Sequence, residues 1–339
     1  MLLKTLTELN GTSGDEKEIR NLLKDELEPY VHSLTTDKIG NLIAQKYPHD
    51  QYEGPKVMVT AHMDEVALMI TSISPDGFLK FKPVGGVDSR ILVSKAVKIN
   101  SSLGVIGAKA IHLQKPRERQ QALNFEQLYI DIGAKSKEDA EKQVKIGDYA
   151  YFLTETETLG QGFLKGKAFD DRVGCYVLAE LMKKDLPLNL VGAFTVQEEV
   201  GLRGASIAAF NVQPDFAIVI EGTISAHMLH VDEEGWVTEP GKGPAISIMD
   251  RETLYNPKLV QQVISLAEKN GVPYQLRRSN SGGNDAGRIH LSGGGVPTIT
   301  ISVPCRYIHS SASVLSEKDI EDTQRLVELV LTSLDELKY

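Results

Sequence analysis

The sequence is that of an α/β protein: a mostly parallel sheet flanked by helices, interrupted by a small inserted all-β domain. Three observations predict it. Apolar, strand-like runs alternate with helical stretches toward both ends of the chain, the pattern of a sheet covered by helices on both faces. The middle of the chain changes to short alternating pieces separated by Gly, Asp, Ser and Pro, the texture of a small β module. The length of 339 residues, 41% of them hydrophobic, is enough for one large core and a second, smaller one. The expected division is 1–70 with 165–339 as the main domain and 71–164 as the insert.

In chain order, MLLKTLTELNGTSGDEKEIRNLLKDELEPY begins with a short apolar stretch and a polar break at Asn10-Gly11. An amphipathic helix follows, with Ser13 as its expected N-cap. There is no long apolar region with a small-residue cleavage site, so a secretory signal is not expected and a cytoplasmic location is. The segment KVMVTAHMDEVALMI from Lys56 has the apolar, β-branched character of a central strand. Within the insert, Ala96–Ile99 and Gly104–Gly107 read as strands and Ser136–Lys145 as its helix. Beyond Lys165 the pattern predicts a helix over Arg172–Lys184, strands over Leu190–Val196 and Phe216–Ile220, and a helix over Pro257–Asn270. A strand over Thr298–Val303 and a last helix over Glu317–Leu337 complete it.

Composition excludes several classes of partner. Lys and Arg total 37 against 46 Asp and Glu, a net charge of -9, so no basic face is available for nucleic acid or anionic lipid. No stretch reaches the roughly 18 to 20 apolar residues of a membrane span. The two cysteines, Cys175 and Cys305, have neither CxxC nor His-Cys spacing and read as small buried apolar residues in a reducing compartment.

Ligands of open α/β sheets gather outside the carboxyl ends of the strands, and five places there carry ionisable residues. His62 and Asp64 end the first strand on one side, where the carboxylate can orient the imidazole through its second nitrogen. Asp170 and Asp171 stand just before a helix. Glu198 and Glu199 close the strand near Val196, Glu221 follows Phe216–Ile220, and His309 follows TITISVP. Singly these are a solvated pair, a capping pair or a structural histidine; jointly they converge on one rim if the sheet is parallel. Carboxylates clustered without a cation raise one another's pKa, and a bound metal removes the conflict.

The charge count favours two metal ions. With His62, Asp170 and Glu221 on one and His309, Glu199 and a shared Asp170 on the other, three carboxylates against two divalent cations leave one positive charge for a bridging hydroxide. Glu198 is then free to act as general base. Spacing alone does not decide between Asp170 and Asp171.

The order AHMDE, KAFDDRVG, VQEEVGLRGA, a strand followed by an acid, and RYIHS resembles the M42 family of metallo-aminopeptidases, which includes glutamyl and tetrahedral aminopeptidases. The resemblance runs nearly end to end, and SGGNDAGRIHLSGGGVPT (Ser281–Thr298) is similar to the family's glycine-rich segment. It implies a catalytic domain of the dinuclear-metal exopeptidase type with zinc or cobalt, and removal of residues from the amino termini of peptides. It also implies an inserted β domain that mediates dimerisation, with dimers that often build a hollow dodecamer. Residue by residue, His62, Asp170, Glu199, Glu221 and His309 match the metal ligands. Glu198 matches the base, and Asp64 the acid supporting His62. Many members have Asp at the position of Glu221. The resemblance prefers Asp170 over Asp171 as the bridge.

His112, His227, His230 and His290 are expected away from the site. Arg251, Arg277, Arg278 and Arg288 are candidates for holding an acidic substrate side chain. Two rivals complete the reading. One is an endoglucanase-like glycoside hydrolase using Glu198 with Glu199 or Glu221, for which 6% aromatic residues and Trp236 as the single tryptophan offer little stacking surface. The other is a metal-stabilised scaffold without catalysis.

Overall fold

The computed structural model describes residues 2–48 and 54–337. Helices α1 (Leu2–Glu8) and α2 (Lys17–Leu27) lead into strands β1 (Ser33–Thr36), β2 (Leu42–Lys46) and the buried β3 (Lys56–His62). Strands β4 (Ala67–Ile73), β5 (Leu79–Val84), β6 (Ala96–Ile99), β7 (Ser102–Ala108), β8 (Leu128–Asp131) and β9 (Tyr149–Phe152) follow, with short helices α3 (Pro116–Arg119) and α4 (Lys137–Ala140) among them. The chain continues through β10 (Glu157–Leu159), β11 (Phe163–Gly166), α5 (Phe169–Lys183), β12 (Asn189–Thr195), α6 (Arg203–Val212), β13 (Phe216–Ser225) and β14 (Ala245–Ser247). It ends with α7 (Pro257–Lys269), β15 (Gln275–Arg277), α8 (Ala286–Ile289), β16 (Thr298–Arg306), β17 (Ser313–Ser316) and α9 (Glu317–Thr332).

Residues Val57–His62 of β3, Phe216–Thr223 of β13 and Thr298–Cys305 of β16 are buried without a break. Successive strand residues face opposite sides, so unbroken burial requires cover on both faces. Helices α1, α2 and α9 pack on α5, which lies across β3 and β13, while α6 and α8 form a separate group against β12, β13 and β16. The sheet order is β1-β2-β12-β3-β13-β16-β17-β11-β10. It is parallel at its centre, from β12 through β3 and β13 to β16, and antiparallel toward both margins.

Strands β4-β5-β8-β7-β6-β9 close into a barrel between β3 and β10. Its own core includes Leu68, Leu79, Val97, Ile106 and Ile130, supplied by strands that alternate exposed and buried positions, as β6 does.

Several elements depart from the sequence pattern. The helix expected over Ser136–Lys145 is confined to Lys137–Ala140, because the chain turns to put Val144 in the barrel core and the Gly147 N–H on Ile70 O at 2.8 Å. The last helix stops at Thr332, where Ser333 leaves helical geometry. Strand β13 runs on to Ser225, so Glu221 lies within it. Ser13 does not cap α2: Glu16 holds the N-cap position, and the Ser13 hydroxyl donates to Asp64 Oδ2 at 2.5 Å instead. A buried carboxylate without donors costs more than a helix end that water can reach.

Arg172, fully buried, ties the amino terminus to the sheet. Its Nε donates to Met63 O at 2.8 Å, Nη1 to Leu6 O and Leu9 O, and Nη2 to Gly11 O at 2.9 Å. Glu65 completes the cluster, 3.3 Å from Arg172 Nη2 and 2.7 Å from Lys167 Nζ. Replacing Arg172 with Met removes the charge while leaving those carbonyls and part of Glu65 unpaired. The expected loss is about 3 to 5 kcal/mol, read from the urea midpoint at constant m-value; a change below about 1 kcal/mol would mean the carbonyls find other donors.

Candidate metal centre

Three parallel strands bring their carboxyl ends to one place. Thr195 of β12 lies opposite His62 of β3. The pairing of Val219 with Thr60, carried two residues further, sets Glu221 level with His62. His62 Nε2 is 3.1 Å from Glu221 Oε1, 3.2 Å from Asp170 Oδ1 and 3.9 Å from Glu198 Oε2. Asp170 arrives from the start of α5, where Ala168 is left-handed and Asp170 and Asp171 have non-helical backbone angles, with a cis peptide bond between them. The other Asp170 oxygen is 3.1 Å from His309 Nε2, and Glu199 Oε1 is 3.4 Å from the same nitrogen.

His309 sits in the turn after β16 and is also reached by the barrel. Its Nδ1 is 3.1 Å from Gly86 O, in the loop that follows β5. The approach is tight: a Cβ on Gly86 would lie 3.1 Å from His309 Nδ1, and one on Gly85, whose φ is +83°, would lie 2.8 Å from Val66 Cγ1.

The two imidazoles present the same problem. Each Nδ1 faces a backbone carbonyl, Asp64 O at 3.0 Å for His62 and Gly86 O for His309. A carbonyl only accepts, so Nδ1 carries the hydrogen and a neutral ring turns its Nε2 lone pair toward carboxylate oxygens. Only a proton or a metal cation between them makes that contact favourable. Burial by itself would depress His62, but the surrounding Glu221 and Glu198 hold it well above the ordinary histidine value. Burial pulls His309 down as well, and Glu199 and Asp170 lift it to about 9.

The carboxylates are displaced in the complementary way. Burial raises Glu221 and Glu198 well above the usual range, Glu199 to about 7, and the neighbouring Asp285 to about 6. Two imidazolium charges cannot match Asp170, Glu198, Glu199 and Glu221 together. Glu199 Oε1 is buried and accepts no hydrogen bond among the described residues. Ligand atoms of His62, Asp171 and Glu221, and of His62, Asp170 and Glu199, lie within 4.8 Å of one another. This donor set, buried, anionic and partly orphaned, fits a divalent cation.

Asp64 is buried beneath this cluster. Its Oδ1 accepts the Glu198 N–H at 3.0 Å and lies 3.4 Å from His62 Nδ1, so the closer partner of that ring nitrogen is the Asp64 carbonyl. Its Oδ2 accepts the Ser13 hydroxyl and the Glu199 N–H. Burial works against its charge, and the contacts with His62 and Ser13 still hold it below the usual aspartate value. Asp171 accepts the backbone N–H of His62 at 3.1 Å and of Gly174 at 3.0 Å.

The structure thus gathers His62, Asp64, Asp170, Glu198, Glu199, Glu221 and His309 at one rim. His227 instead pairs with Arg306 and meets the Trp236 ring edge-on; His290 bonds its own helix at Ala286 O; His112 and His230 are exposed. Of the arginines, Arg277 borders the adjoining cleft of about 230 Å³, together with Glu198, Glu221, Asn284 and His309. Sequence reasoning missed Glu16, Asn41, the Glu65 cluster and the Gly85-Gly86 approach. Only the last had a local signal, a glycine pair, which marks close backbone contact.

The family model for M42 glutamyl aminopeptidases matches residues 40–326. The chain belongs to the M42 aminopeptidase family. The lysyl aminopeptidase of Pyrococcus furiosus is 32% identical, with 100% of this chain and 98% of that one aligned. Among solved structures, the TET aminopeptidase of the marine sediment archaeon Thaumarchaeota archaeon SCGC AB-539-E09 matches with a TM-score of 0.94 at 36% identity, over 98% of this chain and 95% of that one. The Pyrococcus horikoshii TET1 peptidase, which can assemble into a tetrahedron or a large octahedral shell, matches with a TM-score of 0.86 at 35% identity, over 97% and 98% of the two chains. The M42 membership makes this protein a peptide hydrolase of the aminopeptidase class.

The displaced pKa values give a signed expectation for the metal-free M42 protein. His62, His309, Glu198, Glu199, Glu221 and Asp285 all have folded values above their unfolded ones. Above about pH 6, where the depressed carboxylates Asp64 and Asp170 are ionised in both states, the folded state therefore binds more protons, and stability falls as pH rises to about 9. Urea midpoints of chelator-treated protein across that range should decrease with pH. A divalent ion should flatten the trend by displacing those protons; a midpoint that rises with pH in chelator would contradict the electrostatics.

Proposed function

We propose that this M42 protein is a metal-dependent aminopeptidase that removes amino-terminal residues from peptides with the help of two divalent ions, zinc or cobalt. The observation that carries it is two imidazole Nε2 atoms facing four carboxylates, whose side chains are at most 11% exposed, at the carboxyl edge of a parallel sheet. His62, Asp170 and Glu221 would hold one ion; His309, Glu199 and the second oxygen of Asp170 would hold the other. Asp170 is favoured over Asp171 as the shared ligand because its two oxygens approach separate histidines, at 3.2 and 3.1 Å, whereas both Asp171 oxygens accept backbone N–H groups. Glu221 reaches His62 Nε2 at 3.1 Å, so the glutamate serves where many relatives have aspartate.

When bound, such ions polarise the scissile carbonyl, make water nucleophilic at neutral pH and anchor a free amine. The chain's own residues supply the remainder. Glu198 takes a proton from the attacking water and returns it to the departing nitrogen, a task suited to a carboxylate whose proton affinity burial and Glu199 raise well above the usual range. Asp64 holds the Glu198 and Glu199 backbone, and its carbonyl fixes the His62 tautomer. The cleft beside Glu221 and Arg277 receives the first side chain. Exopeptidase action would follow because the peptide's free amine must reach a metal ion to be productively placed.

The inserted barrel serves as the dimerisation surface in this proposal. It carries exposed apolar side chains, Leu103, Val105, Ile111 and Leu113 among them, and the TET1 relative assembles into closed shells. Dimers building a dodecamer are the expected form. The two cysteines are free, which supports work in the cytoplasm; no helix among the described residues is long and apolar enough to cross a membrane. Glu198 and Glu199 share one turn and face the histidines, so nothing favours a sugar ring between them, and a purely structural metal site leaves Glu198 without a task.

Unblocked peptides should be trimmed stepwise from their amino termini and amino-terminally acetylated ones spared, with chelation abolishing cleavage and zinc or cobalt restoring it. Glu198→Gln should keep its metal content while losing roughly 100- to 10,000-fold in turnover. Mass spectrometry of the released residues and metal analysis read both; full activity in Glu198→Gln, or cleavage indifferent to acetylation, would sink the assignment.

A further inference from the structure

The segment carrying Glu198 is held in an unusual way. After β12 ends at Thr195, four successive backbone N–H groups are each accepted by a side-chain oxygen: Val196 by Asn41 Oδ1 at 3.0 Å, Gln197 by Glu16 Oε1 at 3.2 Å, Glu198 by Asp64 Oδ1 at 3.0 Å and Glu199 by Asp64 Oδ2 at 3.2 Å. Gln197 has a left-handed backbone, φ 57°, which a residue with a side chain adopts only when its surroundings hold it there.

Two of these acceptors depend on the turn between α1 and α2. Ser13 donates its hydroxyl to Asp64 Oδ2 at 2.5 Å, the same oxygen that accepts from Glu199. Glu16, also buried, receives the Gly14 N–H at 2.8 Å on the oxygen that accepts from Gln197. The turn is fixed from several directions. The Thr12 hydroxyl donates to Glu65 O at 2.7 Å, the Glu65 N–H to Gly11 O at 2.9 Å, and Arg172 to Gly11 O. From the barrel, the Tyr151 hydroxyl donates to Asp15 Oδ2 at 2.7 Å.

We propose that Ser13 and Glu16 are positioning residues for the reaction: through Asp64 and the Gln197 N–H they set the place of the Glu198 carboxylate without touching substrate. The proposal rests on the aminopeptidase reading for its catalytic consequence. Without the Ser13 hydroxyl, Asp64 can rotate and carries the Glu198 and Glu199 amides with it. Without an acceptor at Glu16, the left-handed Gln197 loses the side-chain oxygen that accepts its N–H. Either change displaces Glu198 by fractions of an ångström, enough to slow a proton transfer that needs hydrogen-bond distance.

The test uses Ser13→Ala, Glu16→Ala and Glu16→Gln in the full-length protein, since Gln keeps the accepting oxygen. On the unblocked peptide best cleaved by the parent, both alanine variants should lose roughly 10- to 100-fold in kcat, the usual scale for such supporting contacts. Their KM and metal content should stay near the parent's, and Glu16→Gln should retain most turnover. Amide exchange in the metal-free protein supplies the second readout: both alanine variants should exchange faster in 196–199 and at the parent's rate elsewhere. Unchanged kcat in the alanine variants, a Glu16→Gln variant as slow as Glu16→Ala, or faster exchange spread through the whole core would overturn the proposal. If the parent cleaves no peptide, the aminopeptidase reading fails on its own, and the exchange data still decide whether the turn holds this backbone.

Discussion

Crowded negative charge at the carboxyl edge of a parallel sheet is the constraint around which the rest of this structure is arranged. Asp170, Glu198, Glu199 and Glu221 share a rim with two histidines. Buried carboxylates repel and resist ionisation unless hydrogen bonds or cations compensate. Two kinds of compensation are visible. Backbone N–H groups and the Ser13 hydroxyl are spent on Asp64 and Asp171, while the outer oxygens, Glu199 Oε1 among them, are left for a cation.

That division explains where the fixed positive charges lie. Arg172 and Lys167 are both buried, yet they compensate Glu65 and a set of carbonyls from the amino-terminal segment. Burial depresses Lys167, and Glu65 opposes that loss of charge. With these cations committed beneath the rim, the cluster above has only its two histidines to set against four carboxylates, which fits a site for a divalent cation. The same arginine anchors the turn that carries Ser13 and Glu16, so the stability of the amino terminus and the alignment of Glu198 depend on shared bonds.

The barrel is part of this arrangement. Gly85 and Gly86 bring its loop against Glu199 and His309, and Tyr151 meets the Ser13–Glu16 turn at Asp15. Three segments far apart in sequence, the amino-terminal turn, the barrel and the β12 loop, therefore converge on the position of two adjacent glutamates.

The chain's own order of residues determined the α/β class, the β-rich insert and the ionisable set His62, Asp64, Asp170, Glu198, Glu199, Glu221 and His309, because strand-end positions follow from local periodicity and a parallel sheet sends those ends to one side. The antiparallel margins escaped that reading, since β1, β10 and β11 are short and largely exposed or half-buried and carry no apolar pattern. So did the jobs of Ser13, Glu16, Asn41 and Gly86: a serine before a helix looks like a cap, and nothing local says that its hydroxyl is needed by a carboxylate 51 residues away. Spacing likewise did not show how Asp170 and Asp171 differ in surroundings: backbone angles at the start of α5 direct one carboxylate to the histidines and the other to backbone N–H groups. Periodicity is a local property and can be read from neighbours along the chain. Which buried donor meets which buried acceptor is decided only when distant segments pack, because that is when water is removed and each polar group must find a partner.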